Sequence, residues 1–174
     1  MAQLALAEMP AINLQPGELY LARQPALLKT ILGSCVGVTF FSARLGAGAL
    51  CHGMLPRCPH SGRRGGATVE ERSRYVDFSI RYLAEQFDAM GASRSELEVK
   101  VFGGADVLSA MEGRTGKPTI GALNCKVARE VLEQEGFRVA ASDLGGSRGR
   151  TIHFHTGTGE VLVHRHAHLG FRKR

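Results

Sequence analysis

The chain has 174 residues, 44% of them hydrophobic and 22% charged, and a formal net charge of +6. That length suits one domain that buries its own core without metal or disulfide staples, and no window approaches the roughly 18 apolar residues of a membrane span. Arg165, Arg172, Lys173 and Arg174 lie in the stretch 164–174, which has no acid. Removing those four leaves a body near +2, too balanced for a nucleic-acid-binding face. The N-terminal stretch carries Glu8 and no basic run, so a secretory signal is not expected and a cytoplasmic location is.

In chain order, residues 1–16 show no clear period and end in the turn signal Gln15-Pro16-Gly17. They read as an N-terminal extension. Gly17–Ala22 alternates weakly, and Leu27–Leu32, Val36–Phe41 and Ala47–Leu55 read as three further strands, separated by Gly33-Ser34 and by Ser42–Gly46. Arg57–Ala67, with Pro59, Gly62, Gly65 and Gly66, reads as an exposed loop.

The period changes after Ser73. Tyr75, Phe78, Ile80, Leu83, Phe87 and Met90 fall at helical spacing, and Gly91 is a natural stop. Leu97–Phe102 reads as a strand ending in Gly103-Gly104, and Ala105–Met111 as a short helix. Leu123, Val127, Val131 and Leu132 share one face of a second long helix over Gly121–Glu135, and Gly136–Ala141 follows as a strand. Arg150–His155 and Glu160–His164 flank Thr156-Gly157-Thr158-Gly159 as a hairpin. Strands, then helix, strand, helix and strands again predict an α/β or α+β fold. The expected architecture is a single-domain sandwich of β-sheets with helices on its outer faces. The domain should span 17–163, with a flexible basic tail over 164–174.

Two residues carry the chemistry. Cys35 sits at the Gly33-Ser34 turn before one apolar run, and His52 lies in the next. If those runs are neighbouring strands, a thiol and an imidazole can meet across them, which is the minimum apparatus of thiolate catalysis. The four cysteines (Cys35, Cys51, Cys58, Cys125) include no CxxC pair, so free thiols are expected in a reducing compartment. Cys51, next to His52, should face the opposite side of its strand. Cys51, His52, Cys58 and His60 lack the short paired spacing of structural zinc sites. His164, His166 and His168 alternate but read as part of a solvated tail, and no cofactor is expected. Gly103-Gly104 and Gly145-Gly146 precede no P-loop lysine and read as structural turns. Asn124, Asp143, Arg148 and Arg150 either shape the site or hold loops together.

The segment Leu32-Gly33-Ser34-Cys35-Val36, together with Val101-Phe102-Gly103-Gly104-Ala105, Ile120-Gly121-Ala122-Leu123-Asn124 and Ser142-Asp143-Leu144-Gly145-Gly146-Ser147-Arg148-Gly149-Arg150, resembles the CheD family of chemoreceptor glutamine deamidases. The four motifs occur in the family's order, and the resemblance runs from about Gly17 to Val163. It implies an α/β sandwich and a cytoplasmic hydrolase that converts particular receptor glutamines to glutamates with release of ammonia. It also implies a catalytic cysteine and histidine at the interval that separates Cys35 from His52, joined by an upstream threonine, for which Thr30 is the candidate.

By that reading Cys35 attacks the carboxamide to form a thioester, and His52 moves the protons. An imidazolium beside the sulfur would favour the thiolate. Gly33 should allow the tight turn, and the Cys35 amide, helped by Ser34, should serve the oxyanion. The resemblance implies a methyl-accepting chemotaxis receptor as substrate and a CheC-type phosphatase as partner. The rival reading is an adaptor that binds receptors or that phosphatase with catalysis weak or lost.

Overall fold

The computed structural model describes residues 9–59, 66–107 and 116–167. Among the described residues, nine strands form two sheets. The first sheet has the order β1 (Ala11–Asn13), β3 (Leu27–Leu32), β8 (Arg150–His155), β9 (Val161–Arg165). The second runs β2 (Leu19–Ala22), β5 (Ala47–Gly53), β4 (Val36–Ser42), β6 (Glu98–Gly103), β7 (Val139–Leu144). Antiparallel pairs predominate; β1 pairs β3, and β6 pairs β7, in parallel.

Strand alternation sorts the side chains into two layers. From β4, Val36, Val38 and Phe40 join Ala47, Ala49 and Cys51 of β5 in a core facing the helices. Each large apolar side chain there contributes about 1.5–3 kcal/mol of burial. Phe40 anchors this layer, with its ring 5.3 Å from that of Phe137 in an edge-on contact. Leu28, Leu32, Leu50, Phe102, Ile152 and Phe154 fill the second core, between the sheets.

Three α-helices are described. The four-residue α1 (Val69–Arg72) begins with a reciprocal capping box between Thr68 and Glu71. Along α2 (Val76–Ala89), Val76, Ile80, Leu83, Ala84 and Phe87 form the buried stripe. It stops where Gly91 adopts φ +77° and the Ala92 amide reaches back to the Phe87 carbonyl at 3.0 Å. The third helix, α3 (Ile120–Gln134), starts at Thr119, whose hydroxyl accepts from the Ala122 amide, and buries Asn124, Val127, Ala128, Val131 and Leu132. The helices α2 and α3 pack on β4, β5 and β6 of the second sheet. Among the described residues no helix covers the outer face of the first sheet, where Ile31 is 61% and Leu162 62% exposed.

The expected sandwich is present, with several differences at its edges. Ala11–Asn13, assigned to the extension, is a strand in register with Leu27–Lys29; three residues are too few to show a period. The last strand runs to Arg165, and the His166 amide donates to the Gly149 carbonyl at 2.8 Å. The first part of the expected tail is therefore sheet-bound, while 168–174 lie outside the described residues. The expected strand at Gly136–Ala141 begins instead at Val139, because Gly136 (φ +76°) is spent ending α3. Most of the expected helix over Ala105–Met111 lies outside the described residues, as do 60–65 of the Arg57–Ala67 loop.

The sharpest backbone constraint is at Gly103. It has φ +101°, and a Cβ placed there would lie 2.2 Å from the carbonyl oxygen of Cys35. Gly103→Ala must both adopt the left-handed region and displace the Cys35 peptide. It is expected to lower the unfolding free energy by about 2–4 kcal/mol, read as a lower urea midpoint with unchanged slope.

Candidate active site

His52 belongs to β5, an interior strand of the second sheet, where it is 1% exposed and faces the space between the sheets. Its backbone is held at both its amide and its carbonyl by the segment entering β2. The His52 amide donates to the Glu18 carbonyl at 2.9 Å, and the Gly17 amide donates to the His52 carbonyl at 2.8 Å. Gly37 lies opposite it in the β4–β5 ladder. A Cβ at Gly37 would come within 3.0 Å of Leu32 Cδ1, so glycine here keeps the strands' inner face open beside the imidazole.

Thr30 is on β3 in the other sheet, also facing inward and buried. Its hydroxyl donates to the Leu14 carbonyl at 2.8 Å and lies 2.7 Å from His52 Nδ1. A hydroxyl has one proton to give. With that proton on Leu14, Thr30 must accept, so Nδ1 carries the imidazole hydrogen and Nε2 keeps its lone pair. Nε2 is buried and has no hydrogen-bond partner among the described residues. The arrangement thus leaves a free base whose orientation is set from behind by the opposite sheet.

Cys35 lies in the bend between β3 and β4, just beyond the last ladder pair, Val36 with Gly53. It packs against the core between the sheets, the same layer that His52 enters, and it is the one cysteine of the four that is not buried. Cys51 points the other way, into the helix-facing core, where burial pushes its thiol up to about 12. Thr30 and His52 are therefore in contact, and Cys35 shares their layer at the end of β4.

The turn that carries Cys35 is held by its carbonyls. Gly33 O accepts from the Ala105 amide at 2.8 Å, Ser34 O from Asn124 Nδ2 at 3.0 Å, and Cys35 O from the Gly104 amide at 2.8 Å. In a trans peptide the N–H points opposite to the C=O, and no cis bond occurs in the described chain. The Ser34 and Cys35 amides therefore point away from the 103–105 loop and α3. The Cys35 amide also lies close enough to its own sulfur to favour the thiolate.

Gly33 plays a smaller part than the turn signal suggested. Its φ is not positive, and an added Cβ would meet only Val107 Cγ2, at an ordinary 3.8 Å. The conformationally demanding glycines are Gly103 (φ +101°) and Gly104 (φ +64°), on the loop that clamps the turn.

Burial sets the charge state. Desolvation lowers the His52 pKa to about 4, opposed only in part by Glu18. Desolvation also raises the Cys35 thiol above its ordinary value, and its own amide offsets part of that. At neutral pH the pair rests as thiol and imidazole. The expected imidazolium–thiolate pair is not the resting state, because two groups withdrawn from water both disfavour charge.

Arg150 and Asp143 hold loops. The guanidinium of Arg150 contacts the carbonyls of Asp143, Gly145 and Arg148 and ion-pairs with the Asp143 carboxylate at 2.8 Å. His166 reaches Thr151 Oγ1 with Nε2 at 2.8 Å, while His60 and His168 lie outside the described residues. Among the described residues, no three His, Cys, Asp or Glu side chains converge as a metal site. No described helix is long and apolar enough to cross a membrane.

Comparison with known proteins places this chain in a family. The family model "CheD chemotactic sensory transduction" matches residues 54–165. A Geobacter sulfurreducens protein named "Probable chemoreceptor glutamine deamidase CheD 2" is 42% identical over 158 residues, covering 91% of each chain. An Oleidesulfovibrio alaskensis protein named "Probable chemoreceptor glutamine deamidase CheD" is 39% identical over 162 residues, covering 92% of this chain and 74% of its own. A solved Neisseria meningitidis protein of the DUF152 family aligns with a TM-score of 0.41 at 15% identity, over 80% of this chain and 63% of that one, too distant a likeness to carry an argument. On the strength of the family model and of relatives matched along nearly its whole length, the chain belongs to the CheD family.

Proposed function

We propose that this protein is a chemoreceptor glutamine deamidase, and that Cys35, His52 and Thr30 carry the reaction. The observation that carries the reading is the Thr30 hydroxyl, which gives its proton to Leu14 and so leaves His52 Nε2 as a free base in the layer that Cys35 enters. The names of the relatives supply the substrate class, glutamine side chains of chemoreceptors. The same reading makes the protein cytoplasmic, with a CheC-type phosphatase as a regulatory partner.

Because the pair rests neutral, proton transfer accompanies attack. His52 Nε2 takes the Cys35 proton as sulfur bonds to the glutamine carboxamide carbon, and the C=O electrons move onto oxygen. The outward-facing Cys35 and Ser34 amides are the donors for that oxyanion. When the carbonyl re-forms, the C–N bond breaks and the imidazolium proton goes to the departing nitrogen, giving ammonia and a thioester. Water then attacks the thioester with His52 again as base. The C–S bond breaks, and glutamate leaves with the thiol restored. Thr30 stabilises the transient imidazolium by accepting from Nδ1–H throughout.

Cys35→Ala and His52→Ala are each expected to abolish ammonia release from a glutamine-bearing receptor fragment. In the wild type each modified glutamine becomes heavier by about 1 Da, and an amine-sized mass gain would instead indicate acyl transfer. Binding that persists in both variants, with wild-type product unchanged, favours the adaptor. Thr30→Ser should retain most activity and Thr30→Val should lose about 10- to 100-fold in kcat, since valine keeps the shape but cannot accept from Nδ1–H.

The pH profile follows from the direction of the His52 shift. The base must be unprotonated, and its pKa lies near 4. The acid limb of kcat/KM should therefore fall around pH 4 rather than near the ordinary imidazole value of about 6.5. A limb at 6.5 would mean that water reaches the imidazole.

A further inference from the structure

Asn124 is wholly buried near the start of α3, and its side chain serves neither the helix nor the apolar core. Its Nδ2 donates twice, to Ser34 O and to Met54 O, each at 3.0 Å. Those acceptors lie one residue before Cys35 and two after His52. The β4–β5 ladder ends at Val36 with Gly53, so Asn124 joins the two chains just where backbone pairing between them stops. The amide orientation is not arbitrary. Flipping it would aim Oδ1 at two carbonyl oxygens, and both bonds would become repulsions. In the orientation present, Oδ1 is buried and has no partner among the described residues, a cost that packing alone would avoid with an apolar residue.

The helix that carries Asn124 cannot drift. A Cβ at Gly121 would lie 2.6 Å from Ala105 O and 2.7 Å from Gly104 O, so α3 sits directly on the loop whose amides hold Gly33 O and Cys35 O. Of the three carbonyls in the Cys35 turn, Ser34 O is the one held by a side chain, and its peptide is the one that presents the Cys35 N–H.

We infer that Asn124 is a positioning residue for the deamidation: by holding Ser34 O and Met54 O it aims the Cys35 amide at the oxyanion position and fixes the separation of the Cys35 and His52 segments. This rests on the deamidase reading and adds to it a residue that touches neither substrate nor the reacting atoms. Met54 O fixes the β5 side of the junction, while the Met54 and Leu55 amides are already tied to Arg74 O at 2.8 and 3.0 Å. Asn124 therefore ties together two segments that are otherwise anchored separately, the Cys35 turn by the Gly104 and Ala105 amides and the end of β5 by Arg74 O.

The test compares Asn124→Asp, which keeps shape and volume but loses the paired donors, with Asn124→Ser, which is smaller and uncharged and can donate once. Val131→Ala, a core substitution elsewhere on α3, controls for lost stability. On a glutamine-bearing receptor fragment, both Asn124 variants should lose roughly 10- to 100-fold in kcat with KM nearly unchanged, whereas Val131→Ala should lower the melting temperature and keep kcat. Folded Asn124 variants with kcat within about threefold of wild type would overturn the inference, as would a loss confined to KM.

A second readout needs no deamidase activity. The pH midpoint of Cys35 alkylation by iodoacetamide should rise in both variants, because the freed Ser34 peptide no longer holds the Cys35 N–H against the sulfur. If the wild type releases no ammonia, the deamidase reading fails, and an unmoved midpoint then overturns the positioning role as well. A raised midpoint would still support it.

Discussion

One hydroxyl proton organises the centre of this protein. Thr30 gives it to the Leu14 carbonyl and can then only accept from His52. The consequence is a fixed tautomer, held not by a carboxylate but by a neutral group that cannot compete for the imidazole proton. A buried carboxylate in that place would raise the His52 pKa and stabilise an ion pair at rest. Threonine leaves the imidazole at the mercy of desolvation, which takes its pKa to about 4. In the mechanism proposed above, this pushes the chemistry toward concerted proton transfer, with charge appearing only when substrate is attacked.

That single contact needs two sheets and the chain's N-terminal segment. Leu14 follows β1, and its own amide is tied to Lys29 O at 2.8 Å. Thr30 belongs to the first sheet, His52 to the second, and Gly17 and Glu18 brace the His52 backbone on the way into β2. The inter-sheet core of Leu28, Leu32, Leu50 and Phe102 keeps the sheets close enough for a hydrogen bond to span them. Stability and site geometry are therefore coupled: the core that holds the sheets together also holds Thr30 against His52.

Much of this was legible in the sequence, for identifiable reasons. The apolar runs Val36–Phe41 and Ala47–Leu55 read as strands with a turn between them, and their pairing in the structure puts Cys35 and His52 toward one layer. Gly91 marked a helix end because only a residue free of Cβ strain adopts its positive φ readily, whereas Gly136, which does the same for α3, read as the start of a strand. The short α1 escaped notice although its Thr68 and Glu71 spacing is a capping-box signature. The Leu14 acceptor was not legible, since a backbone carbonyl belongs to every residue and only the tertiary fold selects one. Nor was the charge state. A cysteine near a histidine suggests an ion pair until the depth of both groups is known. Whether Asn124 shapes the site or holds loops was not legible, since its two acceptors lie 90 and 70 positions away in sequence.

The raised thiol pKa has a consequence for survival in an oxidising cell. Peroxide attacks thiolates far faster than thiols, and sulfenic acid formation follows thiolate fraction and access. Cys35 is the one accessible sulfur of the four, hence the one most open to damage. Kept protonated by its surroundings, it stays a poor target for reactive oxygen while idle.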